Sequence, residues 1–142
     1  MVKGISHITF IVRDIESTAT LFQALGARQV YDSGQHTHSL SKERFFVLGG
    51  VWFALMEGEP LPERTYNHVA LAVDEADMDE LEQRLRRLGA EVLPGRSRVA
   101  GEGRSLYFLD FDNHLFELHS GTLAQRLASY RSLDGEELQR NP

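Results

Sequence analysis

The chain has 142 residues, 42% of them hydrophobic and 25% charged, which predicts one compact soluble domain or two very small ones. Its formal charge of 15 − 21 = −6 disfavours a general nucleic-acid binder, because such proteins are normally basic. The absence of cysteine excludes thiolate metal sites, cysteine nucleophiles and disulfides. There is no signal-peptide pattern and no apolar run near the roughly 18 residues of a membrane span, so we expect a cytoplasmic protein.

The first half of the chain predicts a strand, a helix and then further strands. Residues 6–12 form an apolar, β-branched run with a histidine near its start, which is typical of a strand. Apolar residues then recur at spacings of three and four, which predicts a helix that Gly26 ends. These residues are Ile15, Ala19, Phe22 and Leu25. Residues 45–48 and the run from Val51 predict two strands joined by a Gly49-Gly50 turn.

The second half repeats this order at low identity. Residues 67–73 match residues 6–12, again with a histidine near the start, and a second helix pattern ends at Gly89. Its apolar stripe consists of Met78, Leu81, Leu85 and Leu88. Residues 106–109 and 115–118 predict two strands with a hairpin signal at Asp112-Asn113.

These patterns predict an α+β fold made of two tandem βαβββ modules. The first module covers residues 1–58 and the second residues 66–121, with a proline-containing linker at residues 59–65. A C-terminal helix is expected over residues 122–131, followed by a polar, loose tail over residues 132–142.

The repeat suggests a metal site. His7 and His68 occupy equivalent positions, so they converge on one centre if the modules pair about a pseudo-twofold axis. An offset of 63 places Ala54 of the first module over Glu117 of the second. Two imidazoles and one carboxylate with open positions suit Mn²⁺, Fe²⁺, Co²⁺ or Zn²⁺.

A single histidine near a strand start is more often structural or exposed than a metal ligand. The repeat favours the ligand interpretation, and Glu117 adds to it because a carboxylate in an apolar strand needs a cation. Strand alternation sends His119 to the same face as Glu117, where it could support the ligands from behind. His36 and His38 lie in a polar stretch and are expected at the surface.

Three arginines lie within nine residues, at positions 96, 98 and 104. In an acidic chain such a cluster forms either a local anion site or a solvated loop. The sequence leaves both interpretations open.

Paired βαβββ modules with this ligand pattern resemble the vicinal oxygen chelate superfamily, which includes glyoxalases, extradiol dioxygenases and fosfomycin-resistance proteins. The closer match is to the fosfomycin-resistance epoxide hydrolases of the FosX type. The resemblance runs from about residue 4 to residue 131. Its most specific segments are residues 6–9, 39–43, 63–68, 101–108, 112–119 and 121–123.

The resemblance implies a homodimer with exchanged modules, in which His7 of one chain joins His68 and Glu117 of the other. It also implies Mn²⁺ as the metal and addition of water to the oxirane of fosfomycin, without a thiol cosubstrate. Glu43 matches the general base of this pattern, although Ser-Lys-Glu-Arg on its own is more typical of a solvated surface.

The resemblance also points to groups that hold the substrate. A phosphonate dianion needs charge-assisted hydrogen-bond donors. The matching donors are Thr9, Ser105, Tyr107 and Arg126, with Arg98 nearby, and Trp52 and Tyr66 are expected to wall the pocket. For Arg126, Tyr107 and Trp52 the alternatives are an exposed helix arginine and two core aromatics.

Three other functions fit the same sequence. A thiol transferase of the superfamily would open the same epoxide with a thiol instead of water. A non-catalytic member would bind the antibiotic without metal, which the intact His7, His68 and Glu117 disfavour. A housekeeping enzyme would act on another small epoxide or phosphonate.

Overall fold

Two four-stranded sheets carry the fold in a computed structural model of the chain, which describes residues 1–95 and 100–140. The α+β class and the two βαβββ modules are confirmed. The first module consists of β1 (His7–Val12), α1 (Ile15–Ala24), β2 (Arg28–Asp32), β3 (Glu43–Leu48) and β4 (Val51–Glu57). The second consists of β5 (His68–Ala72), a 3₁₀ turn (Glu75–Asp77), α2 (Met78–Arg87), β6 (Glu91–Leu93), β7 (Ser105–Leu109) and β8 (Leu115–His119). A last helix, α3, spans Leu123–Arg140.

The strand order is the same in both sheets, β1-β4-β3-β2 and β5-β8-β7-β6. The first and last strands of each module pair in parallel, with Thr9 opposite Ala54 and Ala70 opposite Glu117. The offset of 63 between Ala54 and Glu117 therefore joins structurally equivalent positions.

Both module helices begin and end where the sequence indicates. Asp14 caps α1, because its Oδ1 accepts the backbone N–H groups of Glu16 at 3.1 Å and Ser17 at 3.4 Å. A hydrogen bond from the Ser17 hydroxyl also lowers the pKa of Asp14. Gly26 and Gly89 follow the two helices with φ of 96° and 86°, a conformation that glycine adopts without strain.

Strand alternation gives each sheet a core face and an open face. On β1, Phe10 and Val12 are buried in the core, whereas His7, Thr9 and Ile11 are exposed on the other side. One hydrophobic cluster joins the core faces of both modules. It includes the aromatic residues Phe10, Phe22, Phe46, Phe53, Phe108 and Phe116. The open faces carry polar residues such as His7 and Thr9 together with apolar ones such as Ile11.

Polar contacts also join the modules. The backbone N–H and Nε of Arg13 donate to Asp112 Oδ1 at 3.1 and 3.2 Å. The ring of His114 meets Phe10 edge-on at 4.9 Å, and its Nδ1 lies 2.7 Å from Asp110 Oδ2. His114 is therefore a core residue on the opposite side of its strand from Glu117.

The last helix is longer than expected. The prediction that this helix ends at residue 131 and is followed by a loose tail is wrong, because α3 continues to Arg140. The segment after residue 131 contains leucine, glutamate, glutamine and arginine, which are good helix formers and outweigh the single Gly135. No helix in the described part of the chain is long and apolar enough to cross a membrane.

Candidate metal centre

His68 and Glu117 meet on the open face of the second sheet. The parallel pairing of β5 and β8 brings His68 Nε2 to 3.1 Å from Glu117 Oε1. The other ring nitrogen, Nδ1, lies 2.7 Å from the carbonyl oxygen of Tyr66. A carbonyl only accepts hydrogen bonds, so Nδ1 carries a proton, and Nε2 is the ring nitrogen that faces the carboxylate.

This arrangement fits a metal ion. A histidine nitrogen and a carboxylate oxygen 3.1 Å apart are held together by a proton or by a metal ion between them. Ligand atoms about 2.1 Å from a metal ion and about 90° apart are separated by about 3.0 Å. Glu117 is only 5% exposed, and a carboxylate buried to that extent requires such compensation. The pair therefore suits two adjacent positions around one divalent ion.

A hydrogen-bond network lies behind Glu117. Ser105 donates to Glu117 Oε2 at 2.6 Å, and the same hydroxyl lies 2.6 Å from His119 Nδ1. His119 Nε2 lies 3.5 Å from a guanidinium nitrogen of Arg126. His119 stands outside the predicted set of site residues, although strand alternation already placed it on the same face as Glu117. The hydroxyl of Ser105, which the sequence predicts to contact the phosphonate, is thus within hydrogen-bond distance of Glu117 and His119, and its contact with a phosphonate stays a prediction.

Two tyrosines border His68. The hydroxyls of Tyr66 and Tyr107 lie 3.1 Å apart, and the Tyr107 ring meets the His68 ring edge-on at 5.5 Å. Tyr107 is buried and Tyr66 is exposed. Both therefore lie beside the candidate metal ligand His68; the roles of Tyr66 as a pocket wall and of Tyr107 as a phosphonate donor stay predictions.

His7, the remaining predicted metal ligand, lies on the open face of the first sheet. The His7 ring packs on Trp52, with 4.2 Å between the ring centroids. The Ser6 hydroxyl lies 3.1 Å from His7 Nδ1. Thr9 is exposed two residues further along the same face. His7, Trp52 and Thr9 are thus grouped on one sheet, as His68 and Glu117 are on the other.

Glu43 shares the open face of the first sheet. It pairs with Met56, which in turn pairs with Ile11, so strand register places Glu43 on the same side as His7. It is 8% exposed, which is unlike the solvated charge that its local sequence suggests. Its backbone N–H donates to Ser33 Oγ at 3.0 Å. No hydrogen bond or ion pair involves its carboxylate within residues 1–95 and 100–140.

The predicted trio is not assembled within one chain. Among the residues that the structure describes, no three histidine, aspartate or glutamate side chains are placed to hold a common metal ion. His68 and Glu117 form one half of the candidate centre, and His7 with Trp52 belongs to a separate surface.

Two cavities lie beside the half of the candidate centre that contains His68 and Glu117. A cavity of about 290 Å³ is bordered by His68, Glu117, His119 and Arg126. A larger cavity of about 650 Å³ lies between the end of α1 and α2, and it shares His119 with the smaller one. The smaller cavity has the ligand pair and an arginine in its wall, which suits a small anion near a metal.

Of the three arginines at positions 96, 98 and 104, the structure describes Arg104. Arg104 donates to Asp79 on α2 at 2.7 Å, and this hydrogen bond raises the pKa of the guanidinium above its usual range. It is therefore an exposed ion-pair member. Arg96 and Arg98 lie outside the described residues.

A close backbone contact supports the wall of this site. A Cβ at Gly121 would overlap the carbonyl oxygen of Glu102 and lie 2.8 Å from His119 Nε2. We expect Gly121→Ala to lower the free energy of unfolding by roughly 1–3 kcal/mol, because the backbone must shift. Gly135→Ala is the control, since a Cβ there meets nothing within 4 Å and alanine favours a helix by about 1 kcal/mol. Urea unfolding of both variants measures the difference; equal stability would contradict the close packing at Gly121.

Comparisons with known proteins place the chain in a family. Residues 4–118 match the Glyoxalase/Bleomycin resistance protein/Dioxygenase superfamily. Fosfomycin resistance protein FosX of Listeria innocua is 54% identical over 131 residues, covering 92% of this chain and 98% of that protein. Metallothiol transferase FosB of Shouchella clausii is 37% identical over 135 residues, covering 92% and 88%.

A solved structure agrees with these relatives. A mutant FosX from Listeria monocytogenes, complexed with Mn(II) and 1S,2S-dihydroxypropylphosphonic acid, superposes with a TM-score of 0.84 at 51% identity. The match covers 92% of this chain and 99% of that one. The chain therefore belongs to the Glyoxalase/Bleomycin resistance protein/Dioxygenase superfamily, in the branch that contains the FosX fosfomycin-resistance proteins.

Proposed function

We propose that this protein inactivates fosfomycin by adding water to its oxirane, with Mn²⁺ held by His7, His68 and Glu117. The observation that carries the proposal is the close approach of His68 Nε2 and the buried Glu117 carboxylate, 3.1 Å apart on the open face of the second sheet. It is supported by a relative of 51% identity that is complexed with Mn(II) and a dihydroxypropylphosphonic acid. That diol is the compound expected when water opens the ring of an epoxypropylphosphonate.

Glu43 is the general base in this proposal. When bound, Mn²⁺ supplies Lewis acidity that stabilises negative charge on the ring oxygen. The Glu43 carboxylate takes a proton from water as the water oxygen bonds to a ring carbon. The carbon–oxygen bond of the ring breaks at that carbon, and the released oxygen gains a proton. The product is a diol, and no oxidant or reductant is consumed.

The phosphonate group needs positive charge and donors. Arg126 lines the small cavity beside His68 and Glu117, and a guanidinium matches the geometry of a phosphonate. Thr9 and Tyr107 add hydroxyl donors from the two open faces, while Trp52 and Tyr66 form apolar walls. Arg98 is included as a further phosphonate contact on the basis of the family resemblance alone.

We further propose that the working unit is a homodimer with exchanged modules. Within one described chain the three ligands do not form a group, so a second copy is needed to complete the centre. Apolar side chains exposed on the open face of the first sheet and on α3 support this arrangement. They are Ile11 and Trp52 on the first sheet, and Leu123, Leu127, Tyr130 and Leu133 on α3.

Mixing two inactive variants tests the exchange. If His7 of one subunit meets Glu117 of the other, a heterodimer of His7→Ala and Glu117→Ala chains holds one intact site. Refolding the two variants together should restore about a quarter of wild-type activity, since half of the dimers are mixed and half of their sites are intact. Each variant refolded alone serves as the control. No recovery, with heterodimers confirmed by mass spectrometry, would indicate that all three ligands come from one chain.

Phosphorus NMR tests the reaction itself. Fosfomycin incubated with the protein and Mn²⁺ should convert to the diol without any thiol, and a chelator should stop the conversion. Turnover only after addition of a thiol would support the transferase reaction, which the 37% identical metallothiol transferase makes the main alternative. Binding of fosfomycin without turnover under either condition would support sequestration.

A further inference from the structure

The proton positions around Ser105 can be assigned from its two short contacts. The Ser105 hydroxyl lies 2.6 Å from both Glu117 Oε2 and His119 Nδ1. A carboxylate only accepts, so the single hydroxyl proton points to Glu117. His119 must then donate Nδ1–H to the Ser105 oxygen. The reverse assignment would leave two acceptors facing each other at 2.6 Å.

The other nitrogen of His119 has the opposite role. Its Nε2 lies 3.5 Å from Arg126 Nη2, a contact at the long end of the hydrogen-bond range. A guanidinium has only donors, so a hydrogen bond between these two groups is donated by Arg126. His119 thus presents Nδ1 to Ser105 and Nε2 to Arg126. Hydrogen bonds run in one direction from Arg126 through His119 and Ser105 to Glu117.

We propose that His119 is a positioning residue that holds the metal-binding Glu117 and the anion-binding Arg126 in a fixed relation. The contacts at Oε2 leave Oε1 directed at His68 Nε2, 3.1 Å away, so Glu117 would bind the metal through that oxygen. This inference rests on the proposed function for the roles of Glu117 and Arg126. The assignment of the protons depends only on the contacts.

Three substitutions of His119 distinguish its contact with Ser105 from its contact with Arg126. His119→Asn places an amide near the position of Nδ1, where it still donates to Ser105, but it has no atom at Nε2. His119→Gln reaches the position of Nε2 and faces Arg126. His119→Leu removes both contacts. His38→Leu is the matched control, because His38 is an exposed histidine without a side-chain hydrogen bond in the described part of the chain.

Two binding measurements without fosfomycin provide the readout. Electron paramagnetic resonance of unbound Mn²⁺ gives the metal affinity, and calorimetry of the Mn²⁺-loaded protein gives its affinity for inorganic phosphate. His119→Leu should weaken Mn²⁺ binding about 10- to 100-fold, the usual effect of losing a residue that supports a ligand, and should weaken phosphate binding as well. His119→Asn should recover Mn²⁺ affinity but not phosphate affinity. His119→Gln should show the reverse, and His38→Leu should match wild type.

Nitrogen-15 NMR of the metal-free wild-type protein tests the proton positions directly. We expect the His119 ring, identified by its loss in His119→Asn, to show a protonated Nδ1. An unprotonated Nδ1, or wild-type affinities in a folded His119→Leu variant, would overturn the proposal. If these results hold but fosfomycin survives incubation, the proposed function fails and the positioning role stands.

Discussion

Mn²⁺ should no longer stabilise a Glu117→Gln variant against unfolding at concentrations that saturate the wild-type protein. An ion present at a hundred times its Kd stabilises a folded protein by about 2.7 kcal/mol. Glutamine keeps the shape of Glu117 but removes the charge that offsets the ion, and its amide group can present a donor where an acceptor is needed. We expect Kd for Mn²⁺ to rise about a hundredfold or more, so this stabilisation disappears and turnover falls with it.

Thermal unfolding with and without Mn²⁺ measures this effect. Glu59→Gln is a suitable control, because it removes the same charge from an exposed linker position whose side chain makes no hydrogen bond or ion pair with the described residues. It should keep the full Mn²⁺-dependent shift. A folded Glu117→Gln variant with the same shift would remove Glu117 from the metal centre.

The sequence predicted the parts of this centre that depend on strand register. Equivalent positions in the two modules follow from the spacing of apolar residues and turns, so His7, His68 and Glu117 could be selected without coordinates. Register then decides which side chains share a face, because alternate residues of a strand point the same way. The pairing of Ala70 with Glu117 places His68 and Glu117 on the same side for that reason.

Side-chain contacts across strands could not be predicted from the sequence. Ser105 was expected to contact the substrate, yet its hydroxyl lies between Glu117 and His119. That contact depends on the pairing of Ser105 with His119 on neighbouring strands and on the rotamers of both. The full length of α3 was not predicted for another reason. Most residues after Arg131 are polar, and polarity alone does not distinguish a solvent-exposed helix from a loose tail.

Glu43 could be selected only through the family resemblance. Its local sequence, between Lys42 and Arg44, is typical of an exposed surface. Burial to 8% exposure follows from its place at the start of β3 beside Ser33, a contact between segments ten residues apart. The same register that buries it also turns it to the face that carries His7.

Glu43→Gln should abolish hydrolysis while leaving Mn²⁺ binding intact. The amide has no basic oxygen that can take a proton from water, and general bases contribute about 10²- to 10⁴-fold to rate. We therefore expect kcat to fall by that factor with little change in Kd for Mn²⁺. Glu57→Gln is the matched control: it lies next to Met56, the partner of Glu43, so it removes the same charge from the opposite face of the sheet.

Subunit mixing sharpens this prediction, because Glu43 and His7 lie on the same sheet of one chain. If modules are exchanged, mixed dimers of Glu43→Gln and Glu117→Ala chains contain one intact site, and about a quarter of wild-type activity should return. Mixed dimers of Glu43→Gln and His7→Ala chains contain none and should stay inactive. Near-full activity of Glu43→Gln alone would exclude it as the base. Recovery in the second mixture would mean that Glu43 and His7 serve different sites.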